Sequence, residues 1–195
     1  MEVSILKLPG GSARWNLVVD YMILRRKVFV DEKKWDLVSS QEMEFEQYDS
    51  VGHAYYVIAH DEGHVLAGCR LIQCDSTIGK GSVTYSYMLR DAFLKLIQLP
   101  SELCDVEPPT SPRYWELTRL VAVPGNRLAV KNVMSAAHAF LIEVGAVGCL
   151  CLASPIVRRL ASVSGFQSKT LGPVCGDESG KFIAFEIAIA KNAEY

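Results

Sequence analysis

One stretch constrains this chain more than any other: Tyr114-Trp115-Glu116-Leu117-Thr118-Arg119-Leu120-Val121-Ala122-Val123. Its aromatic and β-branched residues, stopped by Pro124-Gly125, predict a buried strand. Glu116 and Arg119 break that pattern. A buried carboxylate or guanidinium costs several kcal/mol unless it is paired or faces a polar ligand. A core ion pair or strand-end charges account for these two residues as well as a binding site does. Three positions apart, they point to opposite faces of a regular strand. If both serve one site, a bulge or the strand end must re-aim one of them.

The rest of the chain can bury such a strand. It has 195 residues, 50% of them hydrophobic, enough for one α/β domain with a full core. A formal net charge of −2 gives no reason to expect nucleic acid. The six cysteines, at 69, 74, 104, 149, 151 and 175, have no pair-and-pair metal spacing, so no metal is expected. They read as reduced core thiols in a cytoplasmic protein, with Cys149 and Cys151 on one face of a strand. Without an apolar run of 18 residues or a signal-peptide start, no membrane span or export is expected.

Ser4 to Leu8 reads as a first strand. Ser12 is placed to cap a helix from about Ala13 to Val30, with an apolar stripe of Trp15, Leu17, Val18, Tyr21, Met22, Leu24, Val28 and Phe29. Arg25 lies near Phe29 on that helix. Residues 31–48 carry Lys33, Lys34 and Trp35, then Glu42, Glu44, Glu46 and, just beyond, Asp49. This sparse pattern suggests a mobile functional loop. Trp35 among charges either staples such a loop or stacks on a ligand. Ala54–His60 and Val65–Ile72 read as a hairpin turning at Asp61-Glu62-Gly63, with Arg70 a second charge inside a strand.

Tyr87 leads into a short helix through about Ile97, with Phe93 and Leu96 inward. A Pro-rich excursion from Pro100 to Pro112 precedes the central strand. A helix from about Ala129 to Val144 ends at Gly145, and Val147–Ala153 is a buried strand. Ser154 is placed to cap a helix opening at Pro155 and closing at Gly165, and Phe166–Leu171 and Phe182–Ile189 are the last strands. The order predicts a mixed sheet with helices on both faces.

Arg25-x-x-Val28-Phe29, Trp35, Glu46-x-Tyr48-Asp49, Arg70-Leu71, Tyr87-Met88-Leu89-x-Asp91-x-Phe93 and Trp115-Glu116-Leu117-Thr118-Arg119 follow one another in order. In that succession the chain, from Met22 to Gly165, resembles the acyl-homoserine-lactone synthases, the bacterial autoinducer synthases. It has Glu46 where the family has Asp, Thr118 where Ser is common, and Ala67 where Gly is frequent.

The resemblance implies an N-acetyltransferase-like three-layer sandwich: a central mixed, twisted sheet flanked by helices, with a V-shaped cleft. It implies one domain over 1–195, with residues 12–50 as helix and acidic loop over the site and 51–195 as core and acyl pocket. The implied reaction acylates the α-amino group of S-adenosyl-L-methionine, a substrate and not a cofactor. The donor is a thioester on acyl carrier protein or coenzyme A. Lactonisation then expels methylthioadenosine.

In that reaction Glu116 is the expected base, because the amine must be neutral to attack. Backbone N–H groups from Arg119 to Val121 suit the oxyanion, and Arg119 joins Glu116 as the catalytic pair. Arg25, Phe29, Trp35, Glu46, Asp49 and Arg70 are expected around S-adenosylmethionine. One Arg would grip its carboxylate and another would hold the acidic loop. Cys151, Ala153 and Ser154 belong to the expected acyl pocket, although close helix–sheet packing explains the small residues of 145–154 as well. Family members that favour 3-oxo chains often carry Thr on this strand; Cys151 implies no strong 3-oxo preference. Arg158, Arg159 and Lys169, with Arg127 and Lys131, are candidates for docking an acidic carrier, and solvated surface charges explain them equally. The expected state is a monomer or weak dimer. An acetyl-coenzyme A-dependent N-acetyltransferase and a non-catalytic S-adenosylmethionine-binding module are the rival readings. The first is disfavoured by the absence of a second Gly-rich turn after Pro124-Gly125.

Overall fold

The computed structural model describes residues 1–177 and 180–189. Part of the connection between the last two expected strands, Phe166–Leu171 and Phe182–Ile189, therefore lies outside the described residues. The elements are β1 (Glu2–Lys7), α1 (Trp15–Arg25), β2 (Tyr55–Asp61), β3 (His64–Gln73), α2 (Met88–Phe93), β4 (Tyr114–Ala122), α3 (Arg127–Glu143), β5 (Gly148–Ala153), α4 (Pro155–Val163), β6 (Ser168–Thr170), β7 (Cys175–Asp177) and β8 (Gly180–Ala188). By hydrogen bonding the strands run β1-β2-β3-β4-β5-β8-β6, with β7 also on β8, giving a mixed eight-stranded sheet. No helix among the described residues is long and apolar enough to cross a membrane.

The chain divides into two compact units, 1–71 with 119–137, and 72–118 with 138–195. In the first, β1 pairs antiparallel with β2, and β2 with β3. The hairpin turns at Glu62 and Gly63, both at positive φ (47° and 84°), as expected for a tight connection. Leu6, Val18, Met22, Tyr56 and Ile58 share its core. Gly68 is required here, because a Cβ would lie 2.7 Å from the Tyr21 ring.

The first helix departs from expectation. Ser12 makes no side-chain cap; a 3₁₀ turn, Ser12–Arg14, leads in instead, and Arg14 donates to the Ser4 hydroxyl at 2.8 Å. Trp15, placed on the apolar stripe by periodicity, is 41% exposed. After Arg25 the helix continues in π form over Arg26–Glu32. The extra residue per turn is a device common where a helix serves a site.

In the second unit, β4 pairs parallel with β5, β5 antiparallel with β8, and both β6 and β7 with β8. β7 was not anticipated: three residues are too few for a period-2 signal. β6 is likewise shorter than the expected 166–171. α2 stops at Phe93, and Leu96 is 42% exposed rather than inward, because Lys95 at φ 59° has already ended the helix. Pro155 opens α4 as expected. Ser154 supplies its carbonyl to Val157 N–H at 2.9 Å, and its side chain makes no cap.

Candidate active site

The first unit gathers charges that the sequence scatters between Arg25 and Arg119. Arg25 forms a two-pronged contact with Asp49, Nη1 to Oδ1 at 2.7 Å and Nη2 to Oδ2 at 2.9 Å, and its Nε donates to Glu44. Arg70 donates to Glu46 Oε1 at 2.7 Å and lies 3.2 Å from Asp49 Oδ1. Arg119 reaches Glu44 Oε1 at 3.2 Å and Glu46 Oε2 at 2.8 Å. Three guanidiniums and three carboxylates thus pair with one another by charge, the arrangement that buried ions demand.

The network is graded from sealed to open. The side chains of Arg25, Glu44, Asp49 and Arg70 are 0% exposed, whereas Glu46 is 11% and Arg119 7% exposed. Glu46 and Arg119 are thus the least buried members of the network, and Arg25 pairs with Glu44 and Asp49 of the loop at its sealed end. Burial opposes ionisation of Asp49, but Arg70 and Arg25 outweigh it and hold the carboxyl well below the usual carboxylate range. Glu46 is likewise lowered, by Arg119 and Arg70 against burial.

Aromatic rings line the same charges. Tyr21 lies 5.4 Å under the Arg25 guanidinium, Tyr48 lies 5.5 Å from that of Arg70, and the Tyr56 hydroxyl donates to Asp49 at 3.3 Å. Arg119 sits at φ 56° within β4, a conformation costly for a residue with a Cβ. This is the expected break in alternation, and the Tyr21 hydroxyl fixes it by donating to the Arg119 carbonyl at 2.7 Å.

Glu44 is the residue the sequence reading passed over. Glu44 and Glu46 lie two apart, with half-buried Met43 and exposed Phe45 between and beside them, and Ser39 bridges Glu44. The signal was arithmetic: three interior arginines need more than two carboxylates. The loop expected to be mobile is tied down in this structure. Arg26 donates to the carbonyls of Ser40 and Gln41 at 3.1 and 2.8 Å, and Glu44 N–H donates to Met22 at 3.2 Å.

The π segment also builds an aromatic pair. Lys33 N–H returns to Val28, Lys34 turns at φ 59°, and Trp35 N–H reaches the Phe29 carbonyl at 2.9 Å. Trp35 consequently stacks on Phe29, centroids 5.2 Å apart and planes 2° from parallel. Arg119 lies 5.9 Å from the Phe29 centroid.

In the second unit, Glu116 is fully buried and accepts from two main-chain amides opening α2: Met88 N–H at 3.1 Å and Leu89 N–H at 2.8 Å. Asp91 similarly accepts from Ser86 N–H at 2.9 Å. On β5, Cys149 and Cys151 are buried with sulfurs 4.0 Å apart, as alternation required, while Ala153 and Ser154 are half-buried. All six cysteines are free. Gly148 is small for packing reasons, since a Cβ would lie 2.5 Å from the Tyr114 ring.

On α4, Arg159 is exposed beside Ile156, Leu160 and Val163, which are 79%, 41% and 80% exposed. Helical spacing puts these four on one face and half-buried Arg158 on the other. Lys169, Arg127 and Lys131 are exposed. Among the described residues no group of three His, Cys, Asp or Glu side chains is placed to hold a metal.

The family model of autoinducer synthases matches residues 13–192. An acyl-homoserine-lactone synthase of Pseudomonas aeruginosa is 28% identical over 179 residues, 89% of this chain and 79% of the relative. The crystal structure of the AHL synthase LasI superposes with TM-score 0.79 at 22% identity, covering 97% of this chain and 90% of LasI. BjaI, a CoA-dependent acyl-homoserine lactone synthase solved with SAM and isopentyl-CoA, gives TM-score 0.77 at 19% identity, covering 97% and 83%. At these identities the two structures carry the fold.

Proposed function

The chain belongs to the autoinducer synthase family, a family of acyltransferases, and on that premise we propose that it makes an N-acyl-L-homoserine lactone from S-adenosyl-L-methionine and an acyl thioester. The observation that carries the proposal is the buried six-residue charge network, open only at Glu46 and Arg119 and flanked by the Phe29–Trp35 pair. Such a wall offers a charged edge to an amino acid and π faces to a sulfonium.

In the first step the amine nitrogen attacks the thioester carbonyl carbon, the carbon–sulfur bond breaks and the thiol leaves. Glu116 accepts the amine proton, directly or through one water. A carboxylate has about four acceptor positions, so anchoring by two amides is compatible with that role. In the second step the carboxylate attacks the carbon beside the sulfonium and methylthioadenosine departs as a neutral thioether. Arg25, Asp49, Arg70 and Glu44 act by holding Glu46 and Arg119 in place, a positioning role. Cys151, Ala153 and Ser154 contribute to the acyl pocket.

The donor is an acyl carrier protein, with acyl-CoA as the alternative that BjaI makes natural. Arg159, on the exposed apolar face of α4, and exposed Lys169 suit an acidic carrier better than half-buried Arg158 does. Free thiols suit a cytoplasmic setting. The test is to incubate the protein with S-adenosylmethionine and matched acyl-carrier and acyl-CoA panels, following products by mass spectrometry. Equimolar methylthioadenosine and acyl lactone are expected, fastest with a carrier-bound donor. Binding of S-adenosylmethionine without methylthioadenosine, or an acylated amine without lactone, would overturn the proposal.

A further inference from the structure

The Phe29–Trp35 pair already carries a cation from its own chain. Lys33 Nζ lies 4.7 Å from the Trp35 centroid and 5.3 Å from that of Phe29. Arg119 also approaches Phe29, but Glu44 and Glu46 pin it. Among the described residues Lys33 has no such ion pair: its ammonium lies over the two π faces, and Glu32 acts on it only through its charge. Partial desolvation lowers the Lys33 ammonium below the usual lysine range against an opposing pull from Glu32, although the residue as a whole stays exposed; the placement over the rings is what the geometry shows. The π segment and the Lys34 turn fix this placement, so the ammonium is delivered by the same backbone that stacks the rings.

We propose that Lys33 is a specificity-determining residue: its ammonium is the resident cation of the aromatic pair, which a sulfonium ligand must displace and a thioether need not. The inference rests on the reading that Phe29 and Trp35 receive the sulfonium. Two cations do not share one π surface without repulsion, so Lys33 raises the free energy of bound S-adenosylmethionine relative to its neutral counterparts. Breaking the carbon–sulfur bond removes the positive charge from sulfur, and the ammonium regains the rings as methylthioadenosine forms. An interaction better satisfied after charge loss than before it favours the leaving step.

The probes are S-adenosylmethionine and S-adenosylhomocysteine, which share the ammonium, carboxylate and adenosine and differ by the methyl group and its charge. Dissociation constants are measured by calorimetry for wild type, Lys33→Met, Lys33→Arg and Trp35→Ala. Lys33→Met should tighten S-adenosylmethionine about three- to tenfold and leave S-adenosylhomocysteine within about twofold. Lys33→Arg, which keeps a cation on the rings, should retain the wild-type ratio. If Trp35→Ala weakens S-adenosylmethionine but Lys33→Met leaves the ratio unchanged, the role of Lys33 is wrong and the sulfonium site stands. If Trp35→Ala leaves S-adenosylmethionine binding unchanged, the sulfonium site itself is misplaced and the role of Lys33 falls with it.

Discussion

Asp49 and Glu116 are both carboxylates buried in oily surroundings, and the protein satisfies them by different chemistry. Asp49 is answered chiefly by side chains, the guanidiniums of Arg25 and Arg70, with one main-chain amide, that of Glu46, at 3.1 Å. Glu116 is answered by backbone, the amides of Met88 and Leu89. The first solution requires a residue of opposite charge elsewhere in the chain. The second requires only a helix that starts in the right place, and uses the orphan N–H groups every helix end presents. The charged partners can therefore be counted in a sequence, while the amide partners leave no residue type to find.

The sharpest way to break the comparison is to remove one cation. Arg25→Met would leave three carboxylates to two guanidiniums, with Glu44 and Asp49 at zero exposure each short of one partner, and should cost about 3–5 kcal/mol in chemical denaturation. A loss below 1 kcal/mol would mean that the network is not the keystone of its unit. Glu116→Gln keeps one acceptor oxygen and turns an NH₂ toward a main-chain amide, so about 1–3 kcal/mol should be lost. If Glu116 is also the base, turnover should fall by about 100-fold or more in protein that is still folded. Near-normal turnover would assign it to anchoring α2 alone.

Acid sharpens the same contrast. Asp49 and Glu46 have carboxyls lowered in the folded state, so their contribution is complete above the unfolded values near ~4 and is lost as pH falls through the folded ones. Urea midpoints should hold steady above about pH 5 and decline on acidification below about 4, less steeply in Arg25→Met. The smallest effect belongs to a pair at the rim. Half-buried Arg90 meets exposed Glu107 at 2.9 Å, and Glu107→Ala, which removes the exposed partner, should cost no more than about 1 kcal/mol.

Much of the site was legible because it violates pattern. Arg70 and Arg119 in strands, and Trp35 in a charged loop, each demanded a reason, and a bulge or strand end near Arg119 was expected if it was to share a site with Glu116. The mixed sheet and its hairpin followed from alternation and turn residues. What escaped depends on the backbone: the π form of 26–32, the amide clamp on Glu116, the 3₁₀ lead-in that displaced Ser12 from its cap, and the three-residue β7. Glu44 escaped for another reason. An acidic run normally faces water, and only a balance of interior charges shows that part of it turns inward.

The alternation of that run has a consequence for heredity. With Glu44 and Glu46 inward and Phe45 outward, the segment behaves like a zip whose teeth mesh at one offset. A codon gained or lost between Ser40 and Glu46 would swing Phe45 onto the guanidiniums and both glutamates into solvent. A grafted loop is expected to seat Glu44 and Glu46 against the guanidiniums only if it keeps that count, whatever its outward letters.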